Sequence, residues 1–192
     1  MNMTRKQSLI AALALLMSSF AMAHPDHESA SMLSGLIAGA LHPLLGLDHL
    51  LVLLLTGALM AQTPAKQVRL VPLCFVGLMA TGFFTAHLGV HAISAGTIEL
   101  LISTSLVVGA IFLLVGQLAQ RRFNKISSLN RFGAWVMTSF AVFHGFAHGL
   151  EVPAGAAASG FLFGFTAVSF CLIFATAWAS GRSQASVGAM VS

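Results

Sequence analysis

Five long apolar stretches dominate the sequence and decide which class of fold it can adopt. They cover approximately residues 31–61, 68–88, 98–119, 132–150 and 155–180. Each is long enough for a helical crossing of a bilayer, which takes about 20 residues. Only 7% of the 192 residues are charged, whereas a soluble domain carries about 25%. Because helices satisfy their own backbone hydrogen bonds in lipid, the sequence predicts an all-α integral membrane protein with about five transmembrane helices.

The N-terminal segment has the pattern of a secretory signal peptide. Arg5 and Lys6 precede a short apolar run, and Ala21-Met22-Ala23 forms a small-residue cleavage site. We therefore predict a signal peptide over 1–23 and a single polytopic membrane domain over 24–192. The alternative is an uncleaved anchor helix, which the shortness of the apolar run disfavours.

The first apolar stretch is too long for one upright span. It contains Pro43 and Gly46, and a proline removes a helical hydrogen bond while its ring crowds the preceding turn. A tilt, a kink or a local break is therefore expected at this point.

The basic residues predict the orientation of the chain in the membrane. Beyond Arg5 and Lys6, all of them fall at one end of the predicted spans: Lys66, Arg69, Arg121, Arg122, Lys125, Arg131 and Arg182. The positive-inside rule makes this end cytoplasmic, so the mature N-terminus lies outside and the C-terminus inside a bacterial-type inner membrane. The net charge of +4 follows from this topology and does not indicate nucleic-acid binding.

The fourth span ends in FHGFAHGLE, which places three ionisable side chains in an otherwise apolar segment. His144, His148 and Glu151 are spaced i, i+4 and i+7, so they project from one face of a helix. Imidazole and carboxylate groups are ligands for divalent transition metals. Gly145 and Gly149 form a G-x-x-x-G that lets another helix approach closely. The alternative is that the histidines only form hydrogen bonds between helices.

A second polar group lies in the first span, in HPLLGLDH at 42–49. His42 and His49 are seven residues apart and share a helical face, whereas Asp48 would point elsewhere on a straight helix. A bend at Pro43 and Gly46 would bring Asp48 towards the histidines, as in the broken helices that form ion sites in transporters. Together the two motifs predict a metal site of His42, Asp48, His49, His144, His148 and Glu151.

Five further residues extend a cation path on the outer side with less support: His24, His27, His87, His91 and Glu99. The first two lie in the start of the mature chain, which is otherwise a solvated tail. His87 and His91 lie at the outer end of the second span, where interfacial histidines are common. Glu99 begins the third span, where the helix dipole alone favours a carboxylate.

The signal peptide, HPLLGLDH and FHGFAHGLE together resemble the HupE/UreJ family of nickel and cobalt permeases. The resemblance covers essentially the whole mature chain. It implies a secondary permease, linked to maturation of nickel-iron hydrogenase or urease, and it assigns the metal path to the six residues of the two motifs. The family pattern has six spans, whereas this sequence predicts five. Either five helices suffice, as in a homo-oligomer, or the chain is a shortened member.

Two other classes of protein remain as alternatives. An intramembrane metal-dependent hydrolase also uses H-x-x-x-H, but the zincin pattern requires Glu where Gly145 stands. A b-type haem protein would use a histidine pair such as His49 and His144, although neighbouring carboxylates suit a divalent ion better than a porphyrin. The sequence contains no P-loop, so we expect passive or proton-coupled uptake of Ni²⁺ or Co²⁺, with no resident cofactor. The expected partners are the ion and the lipid bilayer.

Overall fold

Six helices form the part of the chain that the structure describes. The structure is a computed structural model and describes residues 31–60, 65–90, 93–123, 128–153 and 156–191. The helices are α1 (Met32–Leu45), α2 (Leu47–Leu59), α3 (Ala65–His87), α4 (Ala95–Phe123), α5 (Ser128–Leu150) and α6 (Ala158–Val191). The all-helical class is therefore confirmed. The predicted signal peptide, His24, His27 and His91 lie outside the described residues.

The first apolar stretch is broken at Gly46, as the sequence predicts. Helices α1 and α2 meet there at an angle of 75°. Pro43 lies inside the last turn of α1, and Gly46 leaves the helical conformation with φ −81° and ψ 105°. The Gly46 N–H still donates to the His42 carbonyl, and the Gly46 carbonyl accepts from Leu50 N–H at the start of α2. A single residue thus ends one helix and begins the next.

Fewer helices qualify as membrane spans by length and apolarity than the five that we predicted. Within the described residues, three do so over Arg69–His87, Ala95–Gln120 and Ala158–Gly181, and the bent pair α1–α2 together makes up to four. Helix α5 has 23 residues and is long enough, but it is not among them. His144 and His148 lower the mean hydropathy of this helix, so it does not qualify as a membrane span by apolarity.

Glycine brings α1 and α6 into close parallel contact. Gly35 lies against the backbone of Ala157, and Gly39, one turn further on, lies against Phe161. From the other helix, Gly160 and Gly164 lie against the backbone of α1. In lipid, helices associate through close van der Waals packing rather than through the hydrophobic effect, so small residues determine where they meet.

Helices α3 and α5 form a second parallel pair, in which the predicted G-x-x-x-G is confirmed. A Cβ atom on Gly145 would overlap the Met79 carbonyl, and one on Gly149 would come within 2.5 Å of the Phe83 carbonyl oxygen. Gly82 of α3 in turn lies against the Val142 carbonyl. These contacts fix the depth at which His144 and His148 sit relative to α3.

Helix α2 fills the centre between the two pairs. It contacts α1, α4, α5 and α6, and its buried residues include Val52 and Leu53. Around it lies the main core, which contains Phe75, Met79, Met137, Phe161, Phe165 and Ile173, each at most 1% exposed. Because α2 is short and begins at the break, its first turn places His49 beside His42 of α1 and His148 of α5.

Candidate metal site

Three histidines from three helices meet at the break between α1 and α2. His42 comes from the last turn of α1, His49 from the first turn of α2 and His148 from the last turn of α5. Each offers one ligand atom, and these atoms all lie within 4.8 Å of one another. The ring centroids of His148 lie 4.7 Å from His42 and 4.6 Å from His49. We call these residues the three-histidine group.

The two predicted carboxylates each contact one of these histidines instead of joining the group. Glu151 Oε2 lies 3.2 Å from His42 Nε2, and Asp48 Oδ1 lies 3.0 Å from His49 Nδ1. The side chains of Glu151 and Asp48 are about half exposed. A carboxylate that accepts a hydrogen bond from one imidazole nitrogen leaves the other nitrogen unprotonated and able to bind a metal. Asp48 is the sequence neighbour of His49 and contacts its ring rather than the centre of the group.

His144 lies one turn deeper and has a different partner. Its ring centroid is 5.2 Å from that of His49, and its Nε2 lies 3.2 Å from Ser105 Oγ in α4. The Ser105 hydroxyl donates its proton to the Ile102 carbonyl, so it can only accept from His144. This assigns the proton to Nε2 and leaves Nδ1 of His144 with its lone pair.

Ser105 is a residue that sequence reasoning missed. It lies in STS at 103–105, and no spacing relates that segment to His144. Its helix runs antiparallel to α5, with Ser105 beside His144 and Gly109 beside Met137. Only this packing reveals the contact.

A small cavity lies against the histidines. It is lined by His49, His144 and His148, by the hydroxyl-bearing Ser169, and by the apolar Pro43, Leu53, Phe75 and Met79. Its volume is about 10 Å³, roughly the room for one water molecule. Phe165 stacks on His148, with ring centroids 4.4 Å apart.

Two imidazole nitrogens in this region are buried without a hydrogen-bond partner among the described residues. They are Nε2 of His49 and Nδ1 of His148. Leaving a polar atom buried and unpaired costs about 1–3 kcal/mol. An ion bound to these lone pairs would offset that cost, which is the chemistry that the donor set supports best.

Similarity to known proteins identifies the family of this chain. A family model described as HupE / UreJ protein matches residues 11–191. The chain belongs to the HupE/UreJ family. A relative named Protein HupE, from Rhizobium leguminosarum bv. viciae, is 33% identical over 172 residues, which cover 90% of this chain and 81% of the relative. No solved structure matches the chain. The family and the apolar helices together indicate a multi-pass membrane protein.

Of the less supported residues in this HupE/UreJ chain, the structure describes His87 and Glu99, and neither belongs to the three-histidine group. His87 is exposed at the end of α3 and stacks on Phe83, with centroids 5.6 Å apart. Helix α4 begins at Ala95, where Ser94 Oγ accepts from Thr97 N–H. Glu99 therefore lies in the second turn, not at the helix start as predicted, and is exposed. The Ser94 side chain, and not the Glu99 carboxylate, caps the first turn of this helix.

Proposed function

We propose that this protein is a secondary permease that takes up divalent transition-metal ions across the cytoplasmic membrane. The observation that carries this proposal is the convergence of His42, His49 and His148 from three helices, with ligand atoms within 4.8 Å of one another. Intramembrane ionisable groups are costly and usually functional. Imidazole suits several ions, including zinc, copper and nickel. Membership of the HupE/UreJ family is what favours nickel, with cobalt second.

The side chains form a continuous series from the surface to the interior. Glu151 is the exposed end and contacts His42. His42 is followed by His148, His49 and His144, and successive ring centroids are 4.7, 4.6 and 5.2 Å apart. These steps are short enough for an ion to gain one imidazole before it leaves another. A hydrated ion would first exchange water for Glu151 and His42 and then enter the three-histidine group.

The permease model requires α5 to cross the membrane with the other spans. Helix α5 runs beside α4 from Asn130, next to Gly116, to His144, next to Ser105. Its outer end packs beside α3 at Gly149. A helix that lies along two apolar spans over this length would cross the same thickness. We therefore propose α5 as the additional span, with the histidine-bearing ends of these helices outside and the basic ends in the cytoplasm.

The two alternative functions fit the cavity poorly. A space of about 10 Å³ cannot admit a porphyrin between His49 and His144. It also cannot admit a peptide or ester beside the histidines, as a hydrolase would require. A single metal ion beside the histidines needs far less room than either.

The shared site can be tested by metal accumulation in cells that express single and double variants. Groups this close act as a unit, so His49→Ala or His148→Ala alone should abolish most nickel uptake, and the double variant should lose little more. His87→Ala removes an exposed histidine outside the group and should retain uptake. Accumulation is normalised to membrane-inserted protein and repeated with cobalt and zinc in competition. Two single variants that each keep most of their uptake would refute the shared site.

A further inference from the structure

Ser169 differs from the other buried hydroxyl side chains of the described helices. Hydroxyl side chains in a helix commonly donate to a carbonyl three or four residues earlier in the same helix. Examples are Thr56, Thr81, Thr85, Thr104, Ser105, Thr138, Ser139 and Thr166. Ser169 is 0% exposed, and its Oγ has no hydrogen-bond partner among the described residues.

The unpaired hydroxyl lies in the wall of the cavity beside the histidines. The same cavity is lined by His49 and His148, whose Nε2 and Nδ1 atoms are also buried and unpaired. Three residues from α2, α5 and α6, each with one buried unpaired polar atom, thus line one small space. Its remaining lining is apolar apart from His144, so the protein itself offers few partners that could satisfy them.

A ligand with both a positive charge and a hydrogen-bond donor would satisfy all three atoms. The imidazole lone pairs can bind a metal ion, but a neutral hydroxyl is a weak metal ligand. A water molecule on the ion is polarised by the metal and donates strongly, and a hydroxyl can accept such a bond. The cavity has roughly the room for one water molecule.

We propose that Ser169 accepts a hydrogen bond from a water ligand of the ion held by the three-histidine group, which makes it a positioning residue of this site. The inference rests on the proposed metal binding and extends it to α6, which carries no histidine. Because the Ser169 hydroxyl has no hydrogen bond to its own helix, it can rotate to turn a lone pair towards such a water ligand.

The test uses Co²⁺ as the probe on the purified full-length protein in detergent. Affinity is measured by competition with a chelator, and the visible absorption of bound Co²⁺ reports its coordination. Ser169→Ala should weaken Co²⁺ affinity by about tenfold, the worth of one strong hydrogen bond, and should change the Co²⁺ spectrum. The matched control is Thr166→Val on the same helix, because the Thr166 hydroxyl bonds to the Leu162 carbonyl; it should change neither.

The thermal stability of the metal-free protein separates this role from a structural one. Ser169→Ala removes a buried, unpaired hydroxyl, so the Tm without metal should be unchanged or higher. A lower metal-free Tm would mean that the hydroxyl holds the helix packing and would overturn the proposal. An unchanged Co²⁺ affinity and spectrum would overturn it as well. If the unmodified protein binds no Co²⁺, the proposed function itself fails, which is a different result.

Discussion

The contact between Asp48 and His49 supports a quantitative prediction about metal affinity. In the substitution Asp48→Asn the side chain keeps its shape but loses its charge, so it holds the Nδ1 proton of His49 less firmly. Nε2 of His49, which is buried and unpaired, then becomes a poorer ligand. Removing a partner of this kind typically costs about 10–100-fold in metal affinity.

The exposure of Asp48 places the expected effect at the low end of that range. Its side chain is 49% exposed, so water can replace part of the lost hydrogen bond. We expect Kd for Ni²⁺ to rise about tenfold, or about 1.4 kcal/mol. Because Asp48 acts through His49, the same change in a His49→Ala protein should cost less than about twofold.

The assay is competition of purified full-length protein with a chelator for Ni²⁺, over the four proteins of this double-mutant cycle. Glu99→Gln is the control, since it removes an exposed carboxylate that forms no ion pair with a histidine in the described residues. It should change Kd by less than about twofold. An equal cost of Asp48→Asn with and without His49 would refute the reasoning, because Asp48 would then bind the ion independently.

Three further predictions concern packing, protonation and topology. Gly145→Ala should lower Tm and reduce the free energy of unfolding by about 1–3 kcal/mol, because its methyl group would overlap the Met79 carbonyl. Gly77→Ala is the control, since its Cβ would meet nothing within 4 Å, and it should leave Tm unchanged. Equal Tm values for the two variants would contradict the packing. Metal affinity should weaken as pH falls through about 6–7, the range of the ordinary histidine pKa, because protons compete with metal for imidazole. Chelator competition between pH 7.5 and 5.5 measures this. An affinity that does not change with pH would point to carboxylate or carbonyl ligands. A reporter fused after Arg182 should be cytoplasmic and one inserted at Gly96 should be outside, whereas a cytoplasmic Gly96 would overturn the orientation.

Local features of this chain were predictable because they depend on neighbours in sequence. Pro43 and Gly46 predicted the break, since proline and glycine act on the helix in which they lie. The G-x-x-x-G at Gly145 and Gly149 predicted a close helix contact. The two motifs were also expected to form one metal site, because ionisable groups in an apolar segment are costly and usually functional; that site stays a prediction.

The start of α4 and the role of the carboxylates were not predictable in the same way. The sequence pattern placed Glu99 at a helix start, but the Ser94 cap begins the helix earlier. Asp48 was expected among the metal ligands, which stays a prediction; in the structure its carboxylate contacts the ring of His49. A sequence motif indicates which residue types lie on one part of a helix, but it does not indicate which atom of each side chain would face an ion.

By itself, the sequence determined the membrane class, the broken first span and the helical faces that carry the histidines. These follow from apolarity, from backbone chemistry and from helical periodicity, which act over a few residues. The tertiary structure alone decided that His148 meets His42 and His49, while His144 pairs with Ser105. It also decided that the Ser169 hydroxyl lines the same cavity. These pairings depend on how far one helix is displaced along another, and that displacement is set by glycines lying against the backbones of distant helices.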